Sequence, residues 1–324
     1  MSDAEAAIPA RRPRMLLHIG LFLATFLTTT AASAIQAHGG TIIPIADGLS
    51  YSVPLLLILV CHELGHYLVA RAHGVDASLP YFIPLPPWLG LGTMGAVIGM
   101  RDLTADRKKL IDIGAAGPLC GMLVAIPVLL YGLSLSPVTP ISGPSLQEGN
   151  SILYALVKLA LKGEWLPDGA RDVRLHPTAW AGWAGLLVTM INLLPVGQLD
   201  GGHVATAYFG NRYNRFARAV HRVLPAIALS VFAWVMYTVR GEMGDRWNWR
   251  LGSGIAGNAA MFWLVWYLFL KVLGRLSGGD LDHPPVDDRP LPRSRRLLFW
   301  LVVLVFVAIF MPVPLRTTLG MELP

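Results

Sequence analysis

Apolar residues in this chain fall in long unbroken runs, not at the three-to-four spacing of an amphipathic surface helix. Runs near the ~20 residues that cross a hydrocarbon core lie at Met15–Ala37, Tyr51–Ala72, Ile111–Leu133, Thr178–Val196, Val223–Val239, Gly252–Leu273 and Leu297–Leu315. They predict an all-α polytopic membrane protein with about six or seven transmembrane helices, the fourth and fifth short or interrupted. One apolar segment does not fit. Residues 76–100 carry so many Pro and Gly residues that a regular helix is forbidden. Irregular backbone at membrane depth is tolerated only where protein buries it or it lines a cavity. The segment therefore reads as a re-entrant loop or β-hairpin, with Gly95–Met100 its most strand-like piece; a plain surface loop is the alternative.

Between the runs, Ser134–His176 is the longest external segment, and Ile152–Leu161 within it reads as a short amphipathic helix on the membrane surface. Leu276–Arg296 reads as a loop containing Asp282, His283 and a basic cluster, with His283 as a solvated histidine. The whole of 1–324 is expected to form one integral membrane domain, with a core at 50–205 and C-terminal helices at 220–315.

Composition agrees. With 54% hydrophobic and 14% charged residues among 324, the chain is too apolar for a soluble globular protein. The net charge of +6 invites a nucleic-acid reading, but its distribution argues against one. Most basic residues cluster at Arg11–Arg14, Arg71–Lys109, Arg212–Arg222 and Lys271–Arg296, loops that share one side if the spans alternate. That is the positive-inside pattern, with the N-terminus on the cytoplasmic side; it makes the lipid bilayer the partner and leaves no role for nucleic acid. The first run has a second reading as a signal peptide, with Ala32-Ser33-Ala34 as a cleavage site, although the run exceeds a usual signal core. Cys61 and Cys120 both fall in apolar runs and imply no disulfide framework. Cys61 adjoins His62 but points about 100° away on a helix, as a packing residue would.

The chemistry sits in the second run. His62-Glu63-Leu64-Gly65-His66 is an HExxH signature, which on a helix sets two imidazoles on one face within reach of one metal. Glu63 is placed to act as base for a metal-activated water. Charged groups at membrane depth cost about 2.5–3.5 kcal/mol each unless satisfied, so the placement itself signals function. A catalytic zinc takes three protein ligands and keeps one open position. The third is sought at the broken end of the fourth run, Asn192-Leu-Leu-Pro195-Val-Gly-Gln-Leu199-Asp200-Gly201-Gly202-His203, where Pro195 and the glycines interrupt the helix. Asp200 and His203 both qualify, residue type alone does not choose between them, and Asp200-Gly201 also reads as an ordinary turn.

HELGH on a membrane helix, followed by Asn192-x-x-Pro195-x-x-x-Leu199-Asp200-Gly201 on a later span, resembles the site-2 protease family of intramembrane zinc metalloproteases, peptidase family M50. Gly114-Ala-Ala-Gly117-Pro118-Leu119 resembles the family's small-residue motif, and Gly92–Ile98 its segment between the metal helices. The resemblance implies one Zn2+ per chain held by His62, His66 and Asp200, Glu63 as general base, and Asn192 beside the metal, positioning substrate or stabilising an oxyanion. It also implies cleavage of peptide bonds in or near transmembrane segments of a single-span protein already trimmed outside. The substrate would be an anti-sigma factor, a tethered transcription factor or a remnant signal peptide. The expected setting is a bacterial inner membrane, with the site facing the cytoplasm. One departure is that the chain has no room for the PDZ or CBS modules many members carry. A prenyl-peptide zinc protease would need a membrane Glu as third ligand, which is missing after His66. A zinc transporter would give Glu63 no required role, and an inactive scaffold would not need the intact motif.

Overall fold

The computed structural model describes residues 14–38, 45–100, 105–141, 143, 145–276 and 283–318. Arg11, Arg12, Arg101 and Asp282, singled out above, lie outside them. Helices dominate: α1 (Met15–His38), α2 (Ile45–Ala72), α3 (Arg107–Ser134), α4 (Ile152–Lys162), α5 (Pro177–Asn192), α6 (Asp200–Phe209), α7 (Tyr213–Met243), α8 (Trp249–Leu276) and α9 (Arg293–Ile309). Among the described residues, five stretches are long and apolar enough to cross a membrane: those of α1, α2, α3, α6 joined to α7, and α8. α5 and α9, expected as spans, have only 16 and 17 residues.

Local sequence explains the ends. Asp106 caps α3 by accepting from the Lys108 and Lys109 amides. Pro177 occupies the first turn of α5, where a missing N–H costs nothing, and the His176 ring accepts from the Thr178 amide. Prolines inside helices (Pro54, Pro118, Pro127, Pro225) sit in elements held by their neighbours. Helices α2, α3 and α5 pack on one another, α6 lies on α3, and α7 pairs with α8. The main core runs through this bundle, around Tyr51, Ile58, Leu129, Trp183 and Met190.

Residues 76–100 form an antiparallel pair, β1 (Tyr81–Pro84) with β2 (Thr93–Val97), in the register Tyr81↔Val97 and Phe82↔Ala96. The strand lies earlier than Gly95–Met100; Met100 makes only an isolated bridge to Ala77. The pair is tied to α1 and α2: Thr28 and Tyr51 donate to the carbonyls of Gly92 and Leu91.

Two further small sheets were not expected. β3 (Val138–Pro140) pairs with β5 (Arg171–Val173), and β4 (Ser145–Glu148) pairs with β6 (Leu315–Thr318), about 170 residues on. They cap α4, which matches the expected amphipathic helix, and they bury its Lys158 completely. The Lys158 ammonium lies 3.5 Å from Asp172, 3.9 Å from Glu148 and 4.7 Å from the Tyr154 ring centre. The Tyr154 hydroxyl donates to Glu148 (2.8 Å). Burial pushes the Glu148 carboxyl up from its ordinary range to about 7, against the pull of Lys158.

Candidate metal centre

His62, Glu63 and His66 are all buried on α2, between 3% and 5% exposed. The close fit against α3 has a simple cause: α3 presents glycines where side chains would otherwise stand. A Cβ at Gly117 would collide with the His66 ring, and one at Gly121 would lie 3.2 Å from His62 Nδ1. α2 reciprocates at Gly65, whose Cβ would come 2.7 Å from the Ala116 carbonyl. Small residues let helices approach closely in a membrane; here the space they vacate is filled by two imidazoles. His66 Nδ1 is 2.8 Å from the Ile113 carbonyl of α3. A carbonyl only accepts, so Nδ1 carries the proton and Nε2 keeps its lone pair for a ligand.

The break after α5 delivers the third group. α5 ends at Asn192, the chain turns through Gly197 at φ +59°, and α6 begins at Asp200. The turn is tight enough that a Cβ at Gly201 or Gly202 would collide with the carbonyls of Leu193 or Gly197. Asp200 thereby reaches both histidines: Oδ2 is 3.0 Å from His62 Nε2 and Oδ1 is 3.1 Å from His66 Nε2. The two Nε2 atoms are 3.2 Å apart, and Asn192 Nδ2 is 3.5 Å from His62 Nε2. Glu63 lies within coulombic reach of His62, His66 and Asp200.

This donor set suits a metal. Two imidazole nitrogens and a carboxylate face one point, and spacings of 3.0 to 3.2 Å suit ligands sharing one ion at metal–ligand bonds of about 2.0–2.2 Å. Among the described residues, His62, His66 and Asp200 form the one group of three such side chains able to hold a metal. His203 is not part of it, although the sequence offered it as a rival to Asp200. Cys61 and Cys120 are free thiols, also outside the group.

The profile of Peptidase family M50 matches residues 50–236, a stretch that contains every one of these side chains. The chain belongs to that family, the site-2 protease family. It is 38% identical over 167 residues to "Probable zinc metalloprotease EGY1, chloroplastic" of Arabidopsis thaliana, covering 50% of this chain and 29% of the relative. It is 34% identical over 309 residues to the protein of the same name from Oryza sativa subsp. japonica, covering 93% of this chain and 47% of the relative. "Probable zinc metalloprotease EGY3, chloroplastic" of Oryza sativa subsp. indica is 25% identical over 313 residues, covering 90% and 46%. The chain thus spans about half or less of the length of these relatives. No solved structure matches.

One residue contradicts its sequence reading. His283 is 3% exposed rather than solvated, and its Nε2 lies 3.1 Å from His203 Nδ1. Its loop folds back onto the turn between α6 and α7, a contact 80 residues away in the chain that local polarity does not reveal. Gly117, which faces His66, was visible only as part of a small-residue motif, and Gly121, which faces His62, lies beyond that motif; nothing in the pattern said which rings they faced.

Proposed function

We propose that this chain is an intramembrane zinc metalloendopeptidase, with His62, His66 and Asp200 as ligands of one zinc ion and Glu63 as general base. The observation that carries the reading is the convergence of three ligand side chains, two buried histidines and a half-buried aspartate more than 130 residues further along the chain, beside the buried Glu63 carboxylate. Zinc in such a site supplies Lewis acidity to a carbonyl and brings the pKa of water down to about 7. The protein's own groups do the rest. Glu63 takes a proton from the attacking water at a carboxylate oxygen as the new C–O bond forms, then passes it to the amine nitrogen as the C–N bond breaks. Asn192 Nδ2 donates to the carbonyl oxygen as charge builds there.

A substrate helix hides its carbonyls in hydrogen bonds, so it must unwind to be cut. β2 offers an edge: β1 pairs on one side only, and Met94 is exposed. An unwound segment would add there as a strand. Met94→Pro should lower cleavage and leave zinc affinity unchanged; cleavage at the wild-type rate would remove the strand-addition step.

The proposed substrate is a single-span membrane protein already trimmed on the far side: a tethered transcription factor, an anti-sigma factor or a remnant signal peptide. The reading keeps a multi-pass protein whose site opens towards the side carrying the basic loops, since His66 is six residues, about 9 Å, from the end of α2 at Ala72, with Arg71 in its last turn. The relatives are named chloroplastic and lend no support to a bacterial inner membrane. The test compares membrane proteomes of cells carrying wild type or Glu63→Gln. The variant should keep zinc while cleavage falls about 100- to 10,000-fold, so that one or more membrane stubs accumulate. Undiminished cleavage by the variant would end the assignment of Glu63, and zinc flux through liposomes lost in its place would point to transport.

A further inference from the structure

The helix that presents Asp200 is short and poorly anchored by its own sequence. α6 has ten residues and begins at Leu199 without a side-chain cap. Besides its packing on α3, it is braced by the loop leading into α9. Residues 283–289 lie across the turn between α6 and α7, pinned by two asparagines acting as strand mimics. Asn214 donates to the His283 carbonyl (3.1 Å) and accepts from the His283 amide (2.9 Å). Asn211 does the same for Val286, at 3.3 and 3.1 Å. The Asp287 amide donates to the Ala105 carbonyl (2.9 Å) just before α3. Arg107 donates to the Arg289 carbonyl (3.0 Å) and also to the carbonyls of Ala207 and Tyr208 (2.7 and 2.8 Å), at the far end of α6.

His283 is the piece of this loop that reaches the metal helix. Its Nδ1 is 2.9 Å from the Pro284 carbonyl, so Nδ1 carries the proton. In the neutral ring Nε2 is then an acceptor, and it faces His203 Nδ1 at 3.1 Å, with the rings nearly perpendicular. His203 stands one turn after Asp200 and is itself buried. An acceptor fixed by a backbone carbonyl thus orients a donor on the helix that carries the third ligand.

We propose that His283 is a positioning residue for the metal centre: residues 283–289 form a strap that acts through His203 to set where the first turn of α6 holds the Asp200 carboxylate. The inference rests on the reading of Asp200 as a zinc ligand. Groups that orient metal ligands from behind typically contribute 10- to 100-fold in metal affinity, and the strap acts one step further out.

The test measures zinc affinity of the full chain in detergent by competition with a chromophoric chelator, and the ligand-field spectrum of the Co2+-substituted protein. His283→Phe keeps the bulk but removes the acceptor; it should weaken zinc binding about tenfold and alter the Co2+ spectrum. His283→Gln, whose amide oxygen can accept from His203, should restore most of the affinity. Wild-type affinity and spectrum in a folded His283→Phe protein would overturn the proposal, as would equal losses in the Phe and Gln variants. If His283→Phe does not fold, Asn211→Ala decides by the same readings, since it unpins Val286 without touching the ring pair. No peptide substrate enters the measurement. A wild-type chain that binds zinc tightly yet cleaves nothing would refute the protease reading alone, and one that binds no zinc would overturn both.

Discussion

Two clusters of buried or half-buried ionisable groups among the described residues are built on opposite rules. Around Lys158, opposite charges face each other: an ammonium between two carboxylates, one of them also bonded by a tyrosine hydroxyl. Around Asp200, possible ligand atoms face each other: two imidazole nitrogens and a carboxylate crowd within 3.2 Å of one another, with the His66 Nε2 lone pair turned inward. The first arrangement pairs charges without a hydrogen bond to the ammonium and ties α4 to β4 and β5. The second is arranged as the ligands of one metal ion would be. Burial and charge alone do not separate a structural cluster from a functional one; the convergence of ligand atoms on one point does.

The comparison breaks most cleanly at its two centres. Lys158→Met leaves Glu148 and Asp172 without their cation and should destabilise the fold by about 3–5 kcal/mol, the cost of stranding one half of a buried pair, while zinc affinity of the protein that remains folded stays as in wild type. His66→Ala should do the reverse, losing zinc with little loss of thermal stability in the metal-free protein. Thermal unfolding with and without zinc reads both. Coupled losses in both variants would mean that the two regions are one unit.

A smaller effect sharpens the contrast. Glu148 binds its proton more tightly in the folded chain, with a pKa of about 7, than at its ordinary 4.5. Between those values the folded state holds more protons than the unfolded one, so its stabilising contribution is full below pH 4.5 and is lost as pH rises through 7. Glu148→Gln should flatten this part of the dependence of melting temperature on pH. An unchanged slope would assign it to other groups.

What the sequence made legible follows from how local each signal is. HELGH was readable because helical spacing alone places His62 and His66 together; the break at Pro195 and the glycines pointed to the stretch holding Asp200 and His203, and only the family resemblance chose Asp200. The hairpin at 81–97 was expected from its Pro and Gly content, but its strand begins at Thr93 because Thr93 pairs with Pro84, a matter of register. Lys158 looks like any charge on the polar face of an amphipathic helix; only the way the flanking segments, β5 and the Glu148 end of β4, fold back onto it makes it a buried cation. His283 was misread for the same reason. Its polar, proline-rich surroundings describe a loop correctly and say nothing of where that loop lands. The shortness of α5 was expected, but that of α9 escaped hydropathy, and the fifth run, expected to be short or interrupted, lies within the 31-residue α7.

The central claim is that Asp200 completes a three-ligand zinc site with His62 and His66. X-ray absorption at the zinc edge, with metal content measured on the purified full chain, tests it most directly against Asp200→Ala. The account predicts one zinc per wild-type chain with two imidazole nitrogens and carboxylate oxygen in its shell, and loss of tightly bound zinc in the variant. A wild-type chain without zinc, or an Asp200→Ala chain that keeps it with an unchanged shell, would contradict it.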